Sequence, residues 1–123
     1  MSARLLVADD DADMRLTLKL ALEIAGYTVD VAANAREALE LQRGRPAEVL
    51  ITDIFMHDAD GFEAIDAFRH EFPRTRIIVV SGGAQFTKRD YLPDAELIGV
   101  DATLQKPFDI DTLLRTLQSL AKL

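Results

Sequence analysis

Short aliphatic runs alternate with longer amphipathic segments along the chain, and this alternation constrains the fold more than any other feature. Runs of aliphatic and β-branched residues bounded by polar, Gly or Pro residues predict strands at 3–8, 27–32, 47–52 and 75–80, with a weaker fifth at 102–105. Helical spacing of apolar residues predicts helices at 13–26, 34–44, 61–72 and 109–123. Regular alternation of strand and helix is typical of an α/β fold with a parallel sheet covered on both faces.

Length and charge narrow the class of protein. A chain of 123 residues with 49% hydrophobic residues fits one globular domain, 1–123, with no second, output domain. The formal net charge of −7, with scattered basic residues, argues against direct binding to nucleic acid or to an anionic membrane. Without cysteine there is no disulfide or thiolate metal site, and no segment resembles a signal peptide or a membrane span. We therefore expect a cytoplasmic protein.

Polar residues follow several of the predicted strands. Asp9 and Asp10 follow the first strand, Asp53 the third, Ser81 the fourth and Lys106 the fifth. Because the carboxyl ends of parallel strands share one edge of the sheet, where such folds bind ligands, we expect these five residues to be neighbours.

This set of side chains has a definite chemistry. Carboxylate oxygens are the ligands that Mg²⁺ prefers. A carboxylate that faces a phosphoryl donor can act as a nucleophile and form an acyl phosphate, while a hydroxyl and an ammonium group bind the phosphoryl oxygens. We predict Asp53 as the nucleophile, with Ser81 and Lys106 as the oxygen-binding groups.

Four motifs follow one another along the chain: VADDDADMR, LITDIFMHDADGFE, IIVVSGG and LQKPF. In this order they resemble the receiver domains of CheY-like response regulators in two-component signalling. The resemblance implies a doubly wound five-stranded parallel sheet of order 2-1-3-4-5 flanked by five helices. It also implies a stand-alone regulator that takes a phosphoryl group from a histidine kinase or histidine phosphotransfer protein onto Asp53 and then changes its contacts with a downstream protein target. Catalysis would be limited to this transfer and to dephosphorylation.

The resemblance also implies roles around the phosphoacceptor. Asp10 and Asp53 are expected to ligate Mg²⁺ directly, together with the backbone carbonyl of Phe55. Asp9 is expected to act mainly through metal-bound water. A cis peptide bond is expected between Lys106 and Pro107.

The chain departs from the family pattern at three places. His57 stands where proline is common, and Thr103 stands where the family usually has a switching Tyr or Phe. The segment from Ser81 to Lys106 is a few residues longer than is typical, and we expect signalling motion in residues 82–95. Because position 103 is threonine, the chain lacks there the large aromatic side chain that swings inward on phosphorylation in the family.

Several acidic residues have structural explanations. Asp11 and Asp13 are better explained as capping residues than as metal ligands, because a helix N-terminus attracts carboxylates. Asp60 and Glu63 have the spacing of a capping box for the third helix. His57 is best explained as an exposed loop residue.

The first helix has apolar residues on two faces. One stripe is expected to face the sheet: Met14, Leu18, Ala21, Leu22 and Ala25. Another points largely the other way: Leu16, Leu20 and Ile24. The second stripe is either a surface for a partner protein or is buried against the last helix, and its exposure decides between the two.

Three other functions fit parts of the pattern. A Mg²⁺-dependent aspartyl-phosphate phosphatase commonly has a general acid two residues after the nucleophile, where this chain has Phe55. A pseudo-receiver, an interaction module without phosphorylation, is consistent with Thr103 and His57. Flavodoxin-like cofactor binding is disfavoured because the acids after the first strand repel a phosphate.

Overall fold

The computed structural model describes residues 3–54, 61–81 and 99–121, except the side chains of residues 61, 62, 81 and 121. The strands are β1 (Arg4–Ala8), β2 (Thr28–Ala32), β3 (Val49–Asp53), β4 (Arg76–Ser81) and β5 (Ala102–Gln105). The helices are α1 (Ala12–Ile24), α2 (Ala35–Gly44), α3 (Gly61–Glu71) and α4 (Ile110–Ala121). All strands pair in parallel in one sheet of order β2-β1-β3-β4-β5, which confirms the predicted topology.

The helix count differs from the family expectation. Within the described residues there are four helices rather than the five that the resemblance implies. The stretch between β4 and β5 that would contain another helix, 82–98, lies outside the described residues, as does the segment in which we expected signalling motion. Phe55, His57 and Asp60 also lie outside them.

Two strands end one residue later than predicted. Asp53 is the last residue of β3 and pairs with Val80, and Ser81 is the last residue of β4 and pairs with Gln105. The parallel pairing extends past the apolar run, because a ladder depends on backbone groups and not on side-chain polarity. Two of the predicted site residues are therefore part of the sheet itself.

The sheet has a buried core on each face, because successive side chains of a strand point to opposite faces. The α2 and α3 face buries Leu6, Leu50, Ile65, Phe68, Ile77 and Val79 among others. The α1 and α4 face buries Leu5, Val7, Leu18, Leu22, Ile51, Ile78, Val80 and Leu113 among others. This two-sided coverage is the predicted α/β architecture.

Both ends of α1 are capped by local sequence. The carboxylate of Asp11 accepts hydrogen bonds from the backbone N–H groups of Asp13 and Met14, which confirms the predicted capping role of Asp11. At the other end Gly26 has a φ of +105°, and the N–H of Tyr27 donates to the carbonyl of Leu22. This is a Schellman arrangement, which needs a residue that tolerates positive φ. Residues close in sequence thus determine where α1, the helix that follows the acidic loop, begins and ends.

One of the two expected stripes of α1 is largely buried. Leu18 and Leu22 are buried and Met14 packs against them, as predicted. Ala25 is exposed, so its assignment to the sheet-facing stripe was wrong. The reason is that α1 ends at Ile24, and the chain turns away at Ala25.

The other stripe is solvent exposed. The exposed fractions are 56% for Leu16, 51% for Leu20 and 87% for Ile24. Burial against the last helix is therefore wrong as an explanation of this stripe. Across the described ranges, no helix is long and apolar enough to cross a membrane.

Candidate functional site

Lys106 bridges two buried carboxylates at the carboxyl edge of the sheet. Its Nζ donates to Oδ2 of Asp53 at 2.9 Å and to Oδ2 of Asp9 at 3.0 Å. Asp9 and Asp53 are only 1% and 7% exposed. The structure thus brings together three of the predicted site residues.

The order of the strands explains this convergence. Asp9 follows β1 and Asp53 ends β3, and these two strands are neighbours in the sheet. Lys106 follows β5, which is separated from β3 by β4. Neighbouring strands lie about 4.8 Å apart, so the lysine must extend its long side chain across the end of β4 to reach Asp53. A shorter cation at position 106 would not cover this distance.

Every polar atom of Asp9 makes a hydrogen bond. Its N–H donates to the carbonyl of Ala32 at 3.0 Å, and its Oδ1 accepts from the N–H of Asp11 at 2.9 Å. Its carbonyl accepts from Nη1 of Arg15 at 2.8 Å, and its Oδ2 accepts from Lys106. Both carboxylate oxygens are therefore engaged, which is consistent with an indirect rather than a direct role towards a metal ion.

Arg15 was not predicted as a site residue. The signal was present, because it is an arginine that directly follows the acidic stretch VADDDADM. Helical geometry places a residue at this position one turn beyond the N-cap, within reach of the preceding loop. The contact itself depends on how the loop folds back, which the pattern does not show.

Asp10 is solvent exposed, unlike Asp9 and Asp53. Among the described side chains, no three Asp, Glu, His or Cys residues are grouped as a metal-ion site, so Asp10 does not complete a group of three with Asp9 and Asp53. The donor types nevertheless fit Mg²⁺, because all are carboxylate oxygens. Three carboxylates beside the single ammonium of Lys106 leave two formal negative charges, which match a divalent cation.

The pKa of Lys106 reflects two opposing effects. Burial disfavours the charged ammonium and by itself lowers the pKa, but the hydrogen bonds and charges of Asp53 and Asp9 outweigh it. The net result is a pKa above the ordinary lysine value of 10.5. Lys106 therefore carries its positive charge at neutral pH.

The other predicted residues are only partly described. The backbone places Ser81 at the end of β4, between the ends of β3 and β5, while its side chain and the whole of Phe55 lie outside the described residues. The peptide bond from Lys106 to Pro107 is cis, as the resemblance implied. Thr103 is half-buried in β5 and pairs with Val79.

A cavity of about 690 Å³ opens at the opposite, amino-terminal edge of the sheet. Its walls include Leu5, Tyr27, Phe72 and Leu117. Among the residues that the structure describes, no predicted site residue lines it. The polar site residues that the structure describes and this apolar cavity thus lie at opposite ends of the fold.

The sequence matches the family model described as the response regulator receiver domain over residues 5–118. The chain belongs to the response regulator receiver family. Receiver domains are signalling modules of two-component systems rather than classical enzymes. This chain is therefore the receiver domain of a response regulator.

Known proteins resemble this receiver in sequence and in structure. It is 34% identical over 122 residues to the response regulator MprA of Mycobacterium ulcerans. The matched region covers 99% of this chain and 51% of that protein. The receiver therefore spans about half the length of the MprA relatives. The chemotaxis response regulator CheY4 of Vibrio cholerae superposes with a TM-score of 0.86 at 31% identity, covering 97% of this chain and 98% of that chain. A receiver protein from Pseudomonas putida gives 0.88 at 31% identity with the same coverages.

Proposed function

We propose that this receiver is a cytoplasmic phosphoacceptor that takes a phosphoryl group from a phosphohistidine donor onto Asp53. The observation that carries the proposal is the position of Lys106, whose Nζ lies within 3.0 Å of both Asp9 and Asp53. A buried carboxylate hydrogen-bonded to a fixed cation is suited to nucleophilic attack on phosphorus, because the cation also binds the oxygen atoms of the incoming group.

The transfer exchanges one bond to phosphorus for another. A carboxylate oxygen of Asp53 forms a P–O bond to the phosphoryl group, the P–N bond to the donor histidine breaks, and the imidazole leaves with the electron pair and takes up a proton. The product is an acyl phosphate on Asp53. Lys106 then binds a phosphoryl oxygen in place of the carboxylate oxygen that it holds before transfer.

We propose that Asp10, Asp53 and the backbone carbonyl of Phe55 hold Mg²⁺, with Asp9 acting through water. The engaged oxygens of Asp9 and the exposed position of Asp10 support this division, because an exposed side chain changes rotamer readily and can turn towards Asp53. Mg²⁺ offsets the negative charge of the phosphoryl oxygens when it is bound.

Ser81 is proposed as a second group that binds the phosphoryl oxygens. Its support is the register of the sheet, in which the last residue of β4 lies between the ends of β3 and β5 and so between Asp53 and Lys106. A hydroxyl at this position can donate one hydrogen bond to a phosphoryl oxygen.

The exposed stripe of Leu16, Leu20 and Ile24 supports a protein partner. Three large apolar side chains on one helix face are costly to leave in water and are typical of a docking surface. Because α1 starts at the acidic loop, the Leu16 end of this stripe is the end nearer to the phosphoacceptor. We propose a histidine kinase or histidine phosphotransfer protein here, and a downstream protein as the target of the phosphorylated form.

The test is the intact mass of the protein after incubation with acetyl phosphate, with and without Mg²⁺. We expect a Mg²⁺-dependent gain of one phosphoryl group in the unaltered protein and no gain in Asp53→Asn. Asp66→Asn is the matched control, because it makes the same chemical change at an exposed position on α3. We expect this control to be phosphorylated like the unaltered protein.

Three other outcomes of this experiment would contradict the proposal or indicate a different function. A folded protein that gains no mass although it binds Mg²⁺ would contradict phosphorylation by this donor, and the same experiment with a phosphorylated histidine phosphotransfer protein would then be decisive. No gain from either donor would identify the chain as a pseudo-receiver. Continuous release of phosphate from an unrelated small ester would instead indicate the phosphatase.

A further inference from the structure

The side chain of Arg15 returns from α1 to the acidic loop. Its Nη1 donates to the backbone carbonyl of Asp9 at 2.8 Å, and the arginine is half-buried. A guanidinium group presents several donors in a fixed plane, so it is well suited to hold a carbonyl in one direction.

That carbonyl belongs to the peptide unit that joins Asp9 to Asp10. Because the peptide unit is planar, fixing the direction of the carbonyl also fixes the direction in which the chain enters Asp10. The N–H and the carboxylate of Asp9 are already held by other groups. Arg15 thus adds a constraint on the peptide unit that leads to Asp10.

Two effects of Arg15 on a bound cation have opposite signs. Its positive charge beside Asp9 and Asp10 repels Mg²⁺, so charge alone predicts tighter binding when the arginine is removed. Its hydrogen bond orders the loop, so positioning predicts weaker binding when the arginine is removed. The sign of the change in Mg²⁺ affinity distinguishes the two effects.

We propose that Arg15 is a positioning residue that holds the Asp9–Asp10 peptide so that the carboxylate of Asp10 is directed towards Mg²⁺ beside Asp53. The inference rests on the proposed function, in that it requires the chain to bind Mg²⁺. It concerns a residue that does not itself contact the ion.

The test is isothermal titration of Mg²⁺ into the unaltered protein and into Arg15→Met, Arg15→Gln and Arg74→Met. We expect Arg15→Met to bind Mg²⁺ about tenfold more weakly, which is the usual effect of losing a partner that orients a metal-binding group. Arg15→Gln keeps an N–H donor without the charge and is expected to bind more tightly than Arg15→Met. Arg74→Met removes the same charge at an exposed site that lines the cavity at the opposite edge of the sheet, and is expected to bind like the unaltered protein.

Thermal unfolding in the presence of a chelator accompanies each titration. A lower unfolding temperature with unchanged Mg²⁺ affinity would show a purely structural role, and equal or tighter binding by Arg15→Met would show that charge dominates. Either result overturns the inference and leaves the proposed function intact. If the unaltered protein binds no Mg²⁺, both the inference and the metal dependence of the proposed function are wrong. Should Arg15→Met fail to fold, Arg15→Gln still separates the two effects, because it also removes the charge: weaker Mg²⁺ binding than in the unaltered protein supports positioning, and equal or tighter binding overturns the inference.

Discussion

Lys106 Nζ lies 2.9 Å from Oδ2 of Asp53, although the two residues are 53 positions apart in the chain. The lysine also binds Asp9, so one cation is shared between two buried carboxylates. Such an arrangement is stable only while each charge keeps its partner, because an unpaired charge in a buried place is costly. Lys106 thus offsets only part of the negative charge of the site, and both buried carboxylates depend on this one side chain.

Lys106→Met is expected to destabilise the fold in Mg²⁺-free buffer. The substitution keeps the apolar stem and removes the ammonium, so Asp9 and Asp53 lose their shared cation and repel each other. We expect a loss of about 1–3 kcal/mol in the free energy of unfolding, the usual cost of an unsatisfied buried polar group. Urea unfolding followed by circular dichroism measures it. Lys19→Met is the control, because Lys19 is a partly exposed lysine on α1 that pairs with Glu23, and surface ion pairs contribute little to stability. An equal effect of both substitutions would contradict the prediction.

The contribution of Lys106 to the free energy of unfolding is expected to decrease at alkaline pH. Its pKa is raised in the folded protein, so the stabilisation is fully present below the unfolded value of 10.5 and is lost as the pH rises through the folded value. The difference in free energy of unfolding between the unaltered protein and Lys106→Met should therefore be constant from neutral pH to near 10.5 and shrink above it. Unfolding curves of both proteins over this pH range test the statement. A difference that grows with alkaline pH would show that the pKa is shifted the other way.

Gln42→Leu is expected to destabilise the fold although it adds an apolar side chain to a buried position. Gln42 is 1% exposed, donates to the carbonyl of Ala47 and to Oγ1 of Thr75, and accepts from the N–H of Ala47. Leucine leaves the groups of Ala47 without these partners, at an expected cost of about 1–3 kcal/mol.

The matched control for this substitution is Gln118→Leu, because Gln118 is an exposed glutamine on α4. Surface substitutions usually change stability by no more than about 0.5 kcal/mol. Chemical denaturation of both variants gives the comparison. Equal stabilities of the two variants would mean that the buried hydrogen bonds of Gln42 contribute nothing.

Gly99→Ala is expected to destabilise the turn before β5 for two reasons. Gly99 has a φ of +81°, which costs a residue with a Cβ about 1–2 kcal/mol. An added Cβ would also lie 3.0 Å from Nη2 of Arg69, whose Nη1 donates to the carbonyl of Gly99 at 2.7 Å. Thermal unfolding of Gly99→Ala measures the sum of the two effects.

Comparing Arg69→Ala alone with Arg69→Ala combined with Gly99→Ala separates them, because the first measures the loss of the Arg69 hydrogen bond and the second adds only the backbone strain. Gly44→Ala is the control, since no atom lies within 4 Å of a Cβ at Gly44. We expect the control to be neutral or stabilising, because alanine is favoured over glycine in a helix. A stable Gly99→Ala would show that the backbone relaxes out of the positive-φ region.

Much of the fold follows from local patterns in the sequence. The alternation of aliphatic runs and helical segments identified the five strands and four helices of the described residues, because each type of element has its own hydrophobic period. The cap at Asp11 was also predicted, since capping depends on residues close in sequence. The ends of β3 and β4 were misplaced by one residue because ladder pairing extends into the polar residues.

The sequence by itself determined which polar residues arrive at one edge of the sheet, because parallel strands leave no other place for residues that end them. Only the tertiary structure decided how these residues meet. Lys106 reaches Asp9, 97 positions away, across the end of β4, and Arg15 folds back onto a carbonyl of the acidic loop. Hydrophobic periodicity does not predict side-chain rotamers or contacts between a helix side chain and the preceding loop, because both are determined by packing against residues distant in the chain. The exposure of Leu16 and Leu20 was likewise decided by the placement of α1 on the sheet.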